Sequence, residues 1–335
     1  MASPQDNGIV FGVESVFGTI PSLTSWLERM PGAQFKLNKT IKQGQGLRVG
    51  SRVARSGRRV ITRYDPSAQF AVEAQSKGQG LLWQALMGGA TSTLVSGATF
   101  QQVFTLSDTV TSLSIQNSLY NAGTLAMDKW TYSGMVCSSF DLDFQNGEIL
   151  QIKTNWQGKS GLPDTATAIP SFTAAAASTL FSFVGGSVTT GTLTAPTTTA
   201  LATSPTPIAE IRGGTISLNN NLRERPNLGG DKQPIFGIRQ PTGKLDIEYA
   251  SSTFVNAVLN DTPMNIILTW QGGSLSTGFE TLQVVLPEVK FDDDMAQDNG
   301  PDDIPMISGN FVGLDNLTAT QPMWVVRRTS DTALT

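Results

Sequence analysis

The sequence predicts an all-β, mainly antiparallel chain with a few short helices, divided into two tandem domains. Three observations predict it. Apolar and acidic residues alternate in Phe140-Asp-Leu-Asp-Phe144 and in Leu245-Asp-Ile-Glu-Tyr249, the pattern of a strand with one face in a core and one in water. Turn signals at Asn146-Gly147, Gly272-Gly273 and Asn299-Gly300-Pro301 punctuate the strand-like runs. Short patterns also recur in order. Phe35-Lys-Leu-Asn-Lys-Thr-Ile41 matches Ile216-Ser-Leu-Asn-Asn-Asn-Leu222, and Phe70-Ala-Val-Glu-Ala74 matches Leu245 to Tyr249, at offsets of 181 and 175 residues.

In chain order, strands are expected at Gln34 to Ile41, Arg59 to Ala74, Met135 to Phe140, Phe140 to Phe144, Glu148 to Trp156, Thr215 to Leu222, Leu245 to Tyr249, Met264 to Trp270, Thr281 to Phe291 and Ile304 to Leu314. Helical spacing occurs at Ser22 to Met30 and Leu81 to Met87. It recurs at Ser251 to Leu259, where Ser-Ser-Thr offers a cap. Ser187 to Thr206 holds eleven Ser or Thr residues and no charge, the composition of a linker or exposed loop. The expected organisation is an N-terminal arm (1–30), a first β domain (31–186) with a long basic loop (42–63), a linker or loop (187–207) and a second β domain (208–335).

Composition narrows the chemistry. The chain has 335 residues, 39% hydrophobic and 15% charged, with one Cys and no His. Without His there is no Ser-His-Asp triad, no HExxH zinc site and no imidazole pH switch. Cys137 alone makes no intramolecular disulfide and reads as a small buried apolar residue. The net charge of −4 is unevenly spread: Lys36 to Arg63 carries nine basic residues and no acid, whereas Glu288 to Asp303 carries seven acids and one Lys. The start lacks a basic, apolar leader pattern, and Phe172 to Val184 falls short of the roughly 20 residues of a membrane helix. A cytosol-like compartment of synthesis and no membrane anchor are expected.

Catalytic and ligand motifs fail on their spacing. Gly158-Lys159-Ser160 ends like a phosphate loop but has Lys153 at the required upstream Gly, and Gly44-Gln-Gly46 with Gly50 is misspaced for a dinucleotide turn. Asp141 with Asp143, or Asp246 with Glu248, could form the carboxylate pair of a glycosidase, but alternation alone explains them as solvated strand faces. The run Asp292-Asp-Asp294, Asp298, Asp302-Asp303 misses the calcium-loop pattern. The basic segment with Arg48, Arg52, Arg55, Arg58 and Arg59 could grip phosphates, yet it lacks aromatic stacking platforms. The favoured reading is assembly, with this basic arm lying against Asp292, Asp293, Asp294, Asp302 and Asp303 of another copy. No catalytic residue, metal ligand or cofactor is assigned.

Four stretches, in order, carry a family resemblance. Gly12-Val-Glu-Ser-Val-Phe-Gly-Thr19 resembles the opening G-x-E-S-x-x-G-T of bacteriophage tail tube proteins. Tyr132-Ser-Gly to Phe144, continuing to Gly158, is similar to their central hairpin. Ile211 to Leu222 resembles the strand ending in Asn that opens the second half, and Leu286-Pro-Glu-Val-Lys-Phe291 with Gly300-Pro301 and Ile307 to Leu314 resembles the closing hairpin. The resemblance implies β-sandwich or barrel domains that self-assemble into stacked rings, an inner sheet lining a channel, and long loops reaching the next ring. It implies a virion structural protein, made and assembled in the host cytoplasm, that conducts DNA to the host. Its implied partners are the tape measure and tail-end proteins. Two domains per chain favour trimeric rings with six domains around the axis. Asp141, Asp143, Asp246 and Glu248 are then expected to face the lumen and repel phosphate. The alternatives are a tube of a contractile injection system, or a carbohydrate-binding module using Trp26, Trp83, Trp130, Trp156, Trp270 or Trp324.

Overall fold

The computed structural model describes residues 7–46, 49–50, 52–163, 178–228, 230, 232–249, 253–292 and 305–334. Strands β1 (Ile9–Val13), β2 (Ser25–Leu27), β3 (Gln34–Gln43) and β4 (Arg59–Glu73) precede helix α1 (Gly80–Met87). Next come β5 (Gly88–Ser96), β6 (Thr99–Leu106), β7 (Leu113–Asn121), the long β8 (Ala126–Gln145), β9 (Gln151–Gln157) and β10 (Ser160–Pro163). They are followed by β11 (Gly186–Thr190), β12 (Thr206–Ile208), β13 (Ile211–Asn219), the short hairpin β14 (Arg223–Arg225) and β15 (Lys232–Ile235), and β16 (Gln240–Glu248). Helix α2 (Thr253–Leu259) leads to β17 (Met264–Ser274), β18 (Phe279–Phe291), β19 (Met306–Gly313) and β20 (Trp324–Thr329). Every pairing between these strands is antiparallel.

Successive pairings build a long sheet in the order β3-β4-β9-β8-β13-β16-β19-β18. Alternation decides its faces. Phe140, Leu142 and Phe144 of β8, Ile152 and Trp156 of β9, Ile216 and Leu218 of β13, and Leu245 and Ile247 of β16 are all buried on one side, each apolar side chain contributing about 1.5–3 kcal/mol. A second sheet, β5-β6-β20-β18-β17-β11-β12, covers that side with Phe104, Ile266, Leu268, Leu282, Val284 and Val325. β18 and β8 belong to two sheets each: beyond its part in the long sheet, β8 also pairs with β7 and β10, and β7 carries β1 and β2.

The two helices plug the core. Trp83 of α1 meets Phe140 edge-on at 5.7 Å, and Phe254 of α2 meets Phe291 edge-on at 5.7 Å, geometries that suit aromatic quadrupoles. Gly88 ends α1 at φ 96°, and a Cβ there would lie 2.6 Å from the Ser107 carbonyl, so the turn requires glycine. Each helix follows a strand whose partner is reached through a loop, β3-β4 before α1 and β13-β16 before α2, and a later strand then pairs beside it, β9 on β4 and β19 on β16. The matched sequence patterns fall on these corresponding strands. The pairing β8-β13 joins the two halves in one sheet, and one core cluster contains Phe70 and Trp83 together with Leu245 and Val284.

Three local expectations change. Ser22 to Met30 is not helical: Ser25–Leu27 pairs with β1, with Leu27 fully buried. A helix that short is marginal alone, whereas pairing satisfies the backbone. Gly272-Gly273 lies within β17 at a register shift between Gln271 and Ser274, not at the turn. The Ser/Thr-rich segment, expected as a linker or exposed loop, is mostly exposed but strapped onto the second sheet. It starts as β11 on β17, and its backbone at Thr197 and Ala200 accepts from the Gln101 amide (2.8 and 2.9 Å). Ala202 exchanges two bonds with the Gln283 side chain, and with Leu193 and Leu201 it covers Val103, Ile267, Val285, Trp324 and Val326.

Candidate lumen face and assembly ends

The uncovered side of the long sheet is a polar face read in rows across the strands. One row is Gln34, Gln69, Asn155, Ser139, Asn219 and Gln240, all uncharged. The row toward the β8-β9 turn is Ala71, Lys153, Asp141, Ser217, Thr242 and Val312, followed by Glu73, Gln151, Asp143, Thr215, Lys244 and Asn310. All four predicted acids share this face. Cations stand beside three of them: Lys153 pairs with Asp143, Lys244 with Asp246 (3.1 Å) and Arg212 with Glu248 (Nε to Oε2, 2.9 Å). Thr215 also donates to Asp143 at 2.6 Å. The cations were legible, since Lys153 and Lys244 stand at the outward-facing phase of their own strands.

Among the described residues no group of three or more Cys, Asp or Glu is placed to hold a metal. Trp83, Trp156, Trp270 and Trp324 are buried, so they are not carbohydrate platforms. Cys137 is fully buried in β8, its Sγ donating to the Ser139 carbonyl, and burial pushes its thiol pKa up.

The basic segment forms an arm. Above Ser67, the last β4 residue paired with β9, the β3-β4 hairpin continues alone to Arg59. Gly44 N–H to the Arg58 carbonyl (2.9 Å) and the Gln43 amide to the Arg55 carbonyl (3.0 Å) close its tip. Arg52, Arg55, Arg58 and Arg59 are all exposed, and Arg48 lies outside the described residues. At the arm's base Arg63 bridges Asp65 and Glu224 of β14. Asp292 is exposed beside β19, its N–H bonded to the Asn310 carbonyl (2.9 Å). Asp293, Asp294, Asp302 and Asp303 lie outside the described residues. Asn310 is level with Glu73, and fourteen residues of β4 separate Glu73 from Arg59, roughly 45 Å of strand. Arm and Asp292 therefore sit at opposite ends of one chain.

Two buried polar side chains within the resembling stretches were missed as anchors. The Glu14 carboxylate accepts from Gly18 N–H (2.7 Å), Ser114 Oγ–H (2.6 Å) and Gly134 N–H (2.7 Å). Asn220 is fully buried and donates to the Leu86 and Cys137 carbonyls (3.3 and 3.0 Å). The sequence had shown only their spacing.

Fold and surface together define a β-structured building block with a wide polar sheet face and an exposed basic arm at one end. The chain belongs to the phage tail tube protein family, whose family model matches residues 4–313. No curated protein matches it significantly. Family membership gives it a structural role in the tail tube, self-assembly into that tube and a place in the virion. No helix among the described residues is long and apolar enough to cross a membrane.

Proposed function

We propose that the chain forms trimeric rings, each with six β domains around the axis, that stack into a hollow tube conducting DNA from capsid to host. The observation that carries this is the unbroken polar face spanning the long sheet. An uncharged amide and hydroxyl row, flanked by Asp143, Asp246 and Glu248 holding Lys153, Lys244 and Arg212, leaves phosphates little uncompensated positive charge to hold. DNA affinity depends on such uncompensated cations, so a face of this kind lets the duplex slide.

The edges support ring closure. Among the described residues β3 has no strand on its outer side, and β19 pairs with β18 only over Phe311–Gly313. Both edges offer backbone groups to a neighbour, and three Lys on β3 discourage uncontrolled pairing. The repeated strand-strand-helix order and the recurring sequence patterns support two tandem domains. The basic arm at one end and the acidic chain around Asp292 at the other make stacking polar and heterologous, the symmetry that extends indefinitely. The tape measure and tail-end proteins would bound the stack, and synthesis in the host cytoplasm fits both roles.

Negative-stain electron microscopy of concentrated protein at low and high salt tests the reading. Hollow tubes of uniform diameter, shortened by salt, are expected; solid fibres or open sheets would contradict it.

A further inference from the structure

We propose that an apolar cleft at the end of the sheet opposite the arm receives the arm tip of a second copy. This rests on the stacking reading above and names the surface that reading leaves open. The cleft, about 440 Å³, opens beside the β8-β9 turn between the two sheets, lined by Phe144, Phe183, Val184, Ile208, Ile211 and Trp270. Val184 stands 86% exposed at its mouth and adds an aliphatic surface beside the lining residues.

Three features fit the arm to this cleft. The arm's distal part exposes Val53 (77%), Val60 (60%) and Ile61 (42%), on a two-stranded ribbon that is marginal in water without a partner surface. Charge complements it: no acid occurs between Arg29 and Tyr64, while Glu148 and Glu210 flank the cleft. The Phe183 N–H bonds to the Glu148 carbonyl (3.1 Å), and Glu210 lies between the lining residues Ala209 and Ile211. The nearby Arg212 is held by Glu248. Finally, arm and cleft lie at opposite ends of the sheet, so an arm reaches a cleft only on another copy. Aliphatic side chains seat in the pocket while Arg55, Arg58 and Arg59 meet the glutamates, the arrangement of an apolar centre with a charged rim.

Disulfide trapping in assembled tubes tests this. The double variant Val53→Cys/Val184→Cys is oxidised beside Val53→Cys/Leu317→Cys, with buried Cys137 left in place. The expected result is a ladder of covalent multimers several-fold stronger for the first pair, absent at high salt where stacks dissociate. Tubes with no stronger ladder for the first pair, or links only within single chains, would overturn the docking site and leave the tube reading standing. If the wild-type chain never self-associates, the tube reading fails and the docking site with it. Should the cysteines themselves block tubes, charge exchange decides: Glu148→Lys/Glu210→Lys and Arg55→Glu/Arg58→Glu each reduce stacking, and their combination restores it. Failure of that rescue overturns the proposal.

Discussion

The carboxylate of Glu14 accepts the backbone N–H of Gly134 at 2.7 Å, tying the chain's beginning to the middle of β8 across 120 residues. The same carboxylate takes Gly18 N–H and the Ser114 hydroxyl, and Gly18 and Gly134 both have positive φ (80° and 68°). Two stretches that resemblance picked out thus meet at one buried acceptor.

Glu14→Ala leaves three donors unpaired, those of Ser114 and Gly134 buried, and is expected to cost about 2–4 kcal/mol, read as a lower urea midpoint at unchanged slope. Gly134→Ala should also destabilise, because its Cβ would lie 2.7 Å from the Lys159 Cβ in a left-handed conformation. A wild-type midpoint in Glu14→Ala would show that the knot contributes nothing.

Trp83 fills the core under β8, fully buried, with its ring nitrogen unpartnered. Trp83→Ala should lose about 3–5 kcal/mol. Trp83→Phe gives up no hydrogen bond and should lose less than half of that. Equal losses, measured by thermal unfolding, would mean that the ring is held by its nitrogen and not by packing.

Cys137 makes stability sensitive to alkali. The unfolded thiol titrates near 9.0, and burial raises the folded value. Above pH 9 the unfolded chain releases a proton that the native chain keeps, so stability falls as pH rises, by up to about 1.4 kcal/mol per pH unit. Cys137→Ala should remove this contribution, seen as a shallower decline of urea midpoint between pH 9 and 10.5. The native thiol should also resist a thiol reagent at pH 8 until denaturant is added.

Replacing Asp141, Asp143, Asp246 and Glu248 by their amides frees Lys153, Lys244 and Arg212 on the polar face. These are exposed pairs, so stability should change by no more than about 1 kcal/mol. DNA ejection from virions carrying the variant should slow, most at low salt. Unchanged ejection from intact tails would remove this face from the DNA path.

Much of the fold was legible because alternation is local. Phe140 to Phe144 and Leu245 to Tyr249 are strands, and the acids between their core residues share one face, as the two-residue period requires. Lys153 and Arg212 reach Asp143 and Glu248 from neighbouring strands, so that part of the face's charge depended on register, whereas Lys244 pairs with Asp246 along its own strand. Leu23, Trp26 and Leu27 mimic helical spacing because two turns of helix and a short edge strand bury similar residues. The strap was obscured for another reason: Thr197 and Ala200 are held through their backbone carbonyls, which leave no mark on side-chain composition. Glu14 and Gly134 could be matched as motifs, but their contact belongs to tertiary structure.

The most direct test is a cryo-electron microscopy reconstruction of tubes assembled from the purified chain. The account predicts threefold rings with the row Gln69, Asn155, Ser139 and Asn219 facing the channel and each arm inserted in the adjacent ring. Tubes whose channel is lined by the second sheet, with the polar face turned outward, would contradict it.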